Sequence, residues 1–223
     1  MSSTAALLLL ADGRLPAGGY AHSGGLEPTV RTQGLRDVVD VERFLEGRAA
    51  TAGFMTAAFA AAACAAAQAR NLALLDALDA ELDARFPSPA TRAVSRALGR
   101  QLRRSLVNFH PDPLLDAVRD NPHQALGWGV AAAIFGLDVR DAAQIALHES
   151  VAGPVAAAVK VLSLDLFAVH AAFAGLTDFL DELAGAAAAH ATTAPAELPA
   201  SGSPLLDIAA EQHRQWEVRL FAS

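Results

Sequence analysis

The chain has 223 residues, of which 53% are hydrophobic and 18% charged, and its net charge is -7. That apolar content excludes disorder for the bulk of the chain, and an acidic balance without a block of basic residues argues against nucleic acid as the main partner. One cysteine cannot form an internal disulfide, which favours a reducing compartment.

The N-terminus, MSSTAALLLLADGR, has no positive region and only a short apolar run before Asp12, so it does not read as a secretory signal. A glycine-rich stretch follows, RLPAGGYAHSGGLEP at residues 14–28, read as a loop. Asp40 is placed to cap a helix running to residue 69. Asn71 is placed to cap a second over residues 72–85, and Ser88-Pro89 forms an N-cap and N1 proline for a third, ending near Asn108. Asn121-Pro122 repeats that signature before a helix ending near Gly136, and Asp138 starts another to about Val151. Gly153-Pro154 reads as a break that opens a long helix to about Ala174. After Gly175, the residues Leu176, Phe179, Leu180 and Leu183 recur at the spacing of an amphipathic helix. Residues 192–204, TTAPAELPASGSP, read as a flexible linker, and residues 205–223 as a helix-like tail that regains apolar spacing. Strand signals are weak throughout. The expected fold is a single all-α bundle covering residues 1–223.

Residues 49–69, between Arg48 and Arg70, carry no charge and are long enough to span a bilayer. They are mostly alanine, with no Leu, Ile or Val, and alanine contributes little transfer free energy. A closely packed helix inside a bundle is the better reading, so no membrane association is expected.

The glycine-rich loop invites a catalytic reading, and the familiar motifs fail. No lysine follows the glycines as a phosphate loop requires, no G-x-G-x-x-G is present, and Ala21 stands where a nucleophile elbow needs glycine. No two of the seven histidines lie three or four apart, so no zinc-type spacing exists, although His22 from each chain of a dimer could meet at a symmetry axis. Cys64 reads as a small core residue, and His110 as sitting at a helix end or turn. His148 and Glu149 are neighbours that point to different sides of a helix. Asp76, Asp79 and Asp83 share one helical face, which reads as solvated. Gly18-Gly19 and Gly24-Gly25 permit positive φ or close backbone approach. No catalytic residue, metal site or cofactor is expected. The alternative is a helical enzyme that uses His22, Ser23 and Glu27 for acid–base or acyl chemistry.

Two terminal stretches carry a resemblance. LLLLADGRLPAGGYAHSGGLE is similar to the N-terminal signature of the urease accessory protein UreF family, with Asp12, Pro16, Gly18, Tyr20, His22, Ser23, Gly25, Leu26 and Glu27 in place. LLDIAAEQHRQWEVRLFAS resembles the family's ending, with His213, Arg219, Leu220, Phe221 and Ser223 in register, and GWGVAAAIFGL matches weakly around Gly129 and Gly136. One turn departs from the pattern: Lys160 is followed by VLSLDL, with Ser163 where proline is expected and Leu166 where glutamine is. The resemblance implies a cytoplasmic, non-catalytic, all-α scaffold. Such a protein binds UreD (also called UreH), recruits the GTPase UreG, serves nickel delivery to the urease apoprotein and forms a homodimer. It further implies that Tyr20, His22, Ser23, Glu27, Lys160, His213, Arg219 and Phe221 belong to the partner-binding apparatus, Tyr20 towards UreD and Arg219 towards UreG.

Overall fold

A computed structural model describes residues 2–222, and among them every regular element is helical. Ser223 of the tail pattern lies outside the described residues. Helix α1 (Ser3–Leu10) leads through the glycine-rich loop, with its 3-10 turn Gly19–Ala21, to α2 (Leu26–Gln33). Helix α3 (Val38–Arg48) passes through one π-helical turn (Ala49–Gly53) into α4 (Phe54–Gln68). Its cap is Asp37, whose carboxylate accepts from the Asp40 amide at 2.9 Å. Asp40 is already inside the first turn and its own carboxylate accepts from the Arg36 amide.

The caps expected at Asn71 and Ser88 start α5 (Leu72–Arg85) and α6 (Pro89–Phe109). Short α7 (Pro113–Ala117) follows, and then α8 (Gln124–Ile134), whose cap position is His123 rather than Asn121. The Asn121 carbonyl is instead taken by Arg96 (3.0 Å). Asp138 caps α9 with Asp141 in a reciprocal capping box.

Helix α9 (Val139–Val161) runs straight through Gly153-Pro154, which the sequence reads as a break. A proline inside a helix leaves the carbonyl four residues earlier without its donor. Here that carbonyl belongs to Ser150, and the Arg48 Nε donates to it at 2.6 Å. The real break comes at Ser163, which sits at φ +53°, before α10 (Leu166–Gly175), α11 (Thr177–Ala188), a 3-10 turn (Pro195–Glu197) and α12 (Pro204–His213). The tail is helical only as far as His213.

The continuous rod Val38–Gln68 is long and apolar enough to cross a membrane, yet 67% of its most apolar stretch is buried in the fold. It is the core helix: α4 packs against α8, α9, α11 and α5. Small residues set the spacing. A Cβ on Gly129 of α8 would lie 2.4 Å from the Ala60 carbonyl oxygen, so only glycine allows the two helices to approach this closely. Cys64 is buried among them, its thiol pushed up to about 12 by burial. A second apolar cluster joins α2, α3 and the later part of α9 to α10 and α11, through Leu26, Val41, Leu45, Val155, Val169 and Leu180.

The acidic face of α5 is not simply solvated. Asp76 is exposed, but Asp79 is buried and accepts from Arg96 (2.5 Å), Arg119 (2.9 Å) and the His123 amide (3.0 Å). Asp83 takes Arg96 and the His123 ring, and the Arg96 guanidinium holds its carboxyl below the usual range. Burial pushes His123 below the ordinary histidine value. Helix periodicity put the three aspartates on one face, but the arginines that cover it come from α6 and the segment after α7.

Candidate partner-binding site

The glycine-rich loop is fastened to α6 at Pro16, whose carbonyl accepts from Gln101 Nε2 (2.9 Å) and Ser105 Oγ (2.7 Å). Gly18, Gly24 and Gly25 adopt left-handed φ of 91°, 60° and 90°, a region open to glycine at little steric cost. At Gly24 a Cβ would also meet the Pro154 ring at 2.9 Å. The loop therefore lies flat on α9, and its Tyr20 stands out 77% exposed.

Glu27 follows in the first turn of α2, where the helix dipole favours a negative charge. It is 6% exposed, and it faces the far end of the chain. Its Oε1 accepts from the Leu220 amide (2.8 Å), and its Oε2 from the Phe221 amide (3.0 Å) and His213 Nε2 (3.1 Å). Hydrogen bonds to an ionised acceptor contribute about 1.5–3 kcal/mol each, and a buried carboxylate stripped of them is costly. One residue further, the Ala222 amide donates to the Ala21 carbonyl at 2.8 Å. Phe221 is buried in the second apolar cluster, with Lys160 Nζ 5.8 Å from its ring centroid. Burying such a ring stabilises the docked tail by about 1.5–3 kcal/mol.

The rest of the tail is held by polar latches. Glu211 accepts from Ser88 Oγ (2.6 Å) and the Ala90 amide (2.8 Å), so it caps α6, and the Ser88 hydroxyl holds its carboxyl below the usual range. Thr91 Oγ1 donates to Asp207 at 3.2 Å, Thr51 and Ser203 hydroxyls meet at 2.6 Å, and Arg31 stacks 3.8 Å over the Trp216 ring. Upstream, Arg85 donates to the carbonyls of Pro195, Ala196, Leu198 and Pro199, fastening the proline-rich segment to α5.

The eight residues singled out from sequence therefore divide. Ser23, Glu27, His213 and Phe221 are buried and bond or pack within this chain. Tyr20, Lys160 and Arg219 are exposed, with Val218 (81%) and Leu220 (68%) beside Arg219. His22 is half-buried, which pushes its pKa down. The Ala21–Ala222 bond brings Tyr20 and the last residues of the tail onto one seam. Ser23 Oγ accepts from the Glu27 amide (3.2 Å), while both Glu27 oxygens face the tail, so Glu27 is not aimed as a base at its loop neighbours.

Among the described residues no three His, Cys, Asp or Glu side chains cluster as a metal set. Sequence reasoning missed Glu211 and Arg85, which fasten the tail and the proline-rich segment through partners over a hundred residues away. Ser88 was legible as a cap, but nothing local signals that a distant glutamate completes it. It also missed Arg48 and Glu149. Burial raises the Glu149 carboxyl to about 7.

A family model described as UreF matches residues 35–177, the helical body between the two terminal stretches. The chain is 39% identical over 223 residues, all of both chains, to the urease accessory protein UreF of Mycolicibacterium vanbaalenii. It is 39% identical to that of Mycobacterium marinum and 36% to that of Mycobacterium tuberculosis, again over the full length of both. With the terminal seam and the helical body both accounted for, the chain belongs to the UreF family of urease accessory proteins.

Proposed function

We propose that the chain is a non-catalytic, cytoplasmic scaffold of urease maturation that works as a homodimer. In this reading it binds UreD (UreH), recruits the GTPase UreG and so serves nickel insertion into apo-urease. The observation that carries the reading is the Glu27 carboxylate, which gathers the tail onto the glycine-rich loop. The buried members of the site act as fasteners. The exposed ones, Tyr20, Lys160 and Arg219 with Val218 and Leu220, form the surface offered to partners. Its composition suits that role: tyrosine and arginine are enriched at interface hot spots, and a planar guanidinium matches a carboxylate across an interface.

The test is co-purification with UreD and UreG. Arg219→Ala is expected to keep UreD and lose UreG, and Tyr20→Ala to weaken UreD association by about 1–4 kcal/mol, each with a nearly unchanged melting temperature. Co-elution of both variants with both partners at wild-type affinity would refute the assignment. Hydrolysis of GTP by the purified chain alone, abolished by substituting His22 or Ser23, would refute the non-catalytic reading.

A further inference from the structure

Beneath the tail lies a cavity of about 560 Å³, walled by the glycine-rich loop, the α3–α4 rod, α6, α9 and the tail itself. That volume is in the range of sites for organic molecules, about 300–1,000 Å³. Its wall is largely apolar, with Met55, Leu98 and Leu206 among the lining residues. Set into it are donors with unused hydrogens, alongside the carboxyl of Glu149, whose charge is disfavoured by burial. Arg48 spends its Nε on the Ser150 carbonyl, and no described carboxylate pairs with its remaining nitrogens. Burial without a counter-charge pulls the guanidinium down to about 10. Trp128, also in the wall, is 2% exposed, and its indole N–H has no acceptor among the described residues.

Arg48 is half-buried, and a cation withdrawn from water without an anion is costly, since its desolvation is not repaid. Arg48 is kept beside a space: glycine at position 24 leaves room next to it, where a Cβ would lie 3.5 Å from Nη2. An inorganic ion alone would leave most of the volume and the apolar wall unused. We propose that this cavity binds a small organic anion, with Arg48 receiving its carboxylate or phosphate group and the apolar wall covering its carbon skeleton. Arginine is suited to both head groups, because its fork of donors matches their oxygens in pairs.

The test uses the purified full chain and two fluorescent probes, anionic 8-anilinonaphthalene-1-sulfonate and its neutral relative N-phenyl-1-naphthylamine. One molecule of the anionic probe is expected to bind per chain. Arg48→Met should weaken it at least about tenfold and Arg48→Lys less, while the neutral probe is unaffected by either. Should Arg48→Met fail to fold, displacement from the wild type decides. 1-Naphthoate or 1-naphthyl phosphate should displace the bound anionic probe and 1-naphthalenemethanol should not, the stronger competitor identifying the head group. Equal displacement by the neutral alcohol, or anionic-probe affinity within about twofold of wild type in a folded Arg48→Met, would overturn the proposal.

Discussion

Helix α4 and the C-terminal segment from Pro204 onward are both essential parts of one bundle, held by opposite means. Helix α4 buries Met55, Phe59, Cys64 and most of its alanines, and its close neighbour α8 approaches because position 129 has no side chain. Helix α12 buries only Ala209 and His213, while Leu205 and Ile208 remain 64% and 56% exposed. The tail is kept in place by Glu27, Glu211, Asp207 and the single inserted ring of Phe221. Shape-packed contacts are lost only by opening the core to water. The tail's fasteners are few and local: the outer polar latches trade with water at a net of about 0.5–1.5 kcal/mol each, and only the buried bonds to Glu27 contribute more, about 1.5–3 kcal/mol each. The core is thus the rigid platform, and the tail is the part that can be released without opening it, as the proposed role in partner binding requires.

The largest effect is expected at the polar centre of the body. Asp79→Ala removes the acceptor of Arg96, Arg119 and the His123 amide, and should lower unfolding free energy in urea by about 3–5 kcal/mol. A loss under 1 kcal/mol would show that the body, too, is held by exchangeable surface bonds. Next comes Gly129→Ala, which forces one methyl towards the Ala60 carbonyl and should cost about 1–3 kcal/mol, with no change in how the tail docks.

Glu149 gives a pH-dependent contrast of similar or smaller size. Its folded-state pKa, about 7, is raised from an ordinary 4.5, so the folded chain binds the extra proton between those values. The carboxylate therefore destabilises the fold fully above pH 7, and the penalty disappears as pH falls towards 4.5. Glu149→Gln removes it. The variant should be more stable than the wild type by on the order of 1–3 kcal/mol at pH 8, and equal to it below about pH 4.5. The opposite trend in paired thermal melts would place a cation beside Glu149.

The local grammar of the fold was legible. Asn71, Ser88 and Asp138 start helices as their side chains dictate, and the alanine run became core because it offers too little transfer energy for lipid and little bulk to hold helices apart. What was not legible depends on residues far away in the chain. Pro154 should end a helix, and it does not because Arg48, 102 residues earlier, covers the orphaned carbonyl. Asp79 sits on a face that periodicity assigns to water, and arginines outside α5 bury it. At the site, the resemblance pointed to Glu27 and His213 separately. Only the structure joins them, across 186 residues, and shows that they face inward while Tyr20 and Arg219 face out.

The most direct test of this account is amide hydrogen exchange at Leu220 and Phe221 in the wild type and in Glu27→Ala. Both amides donate to Glu27, so both should be protected in the wild type and exchange at least about tenfold faster in the variant, while amides of α4 keep their protection. Unchanged exchange at both positions in Glu27→Ala would contradict the claim that this carboxylate fastens the tail.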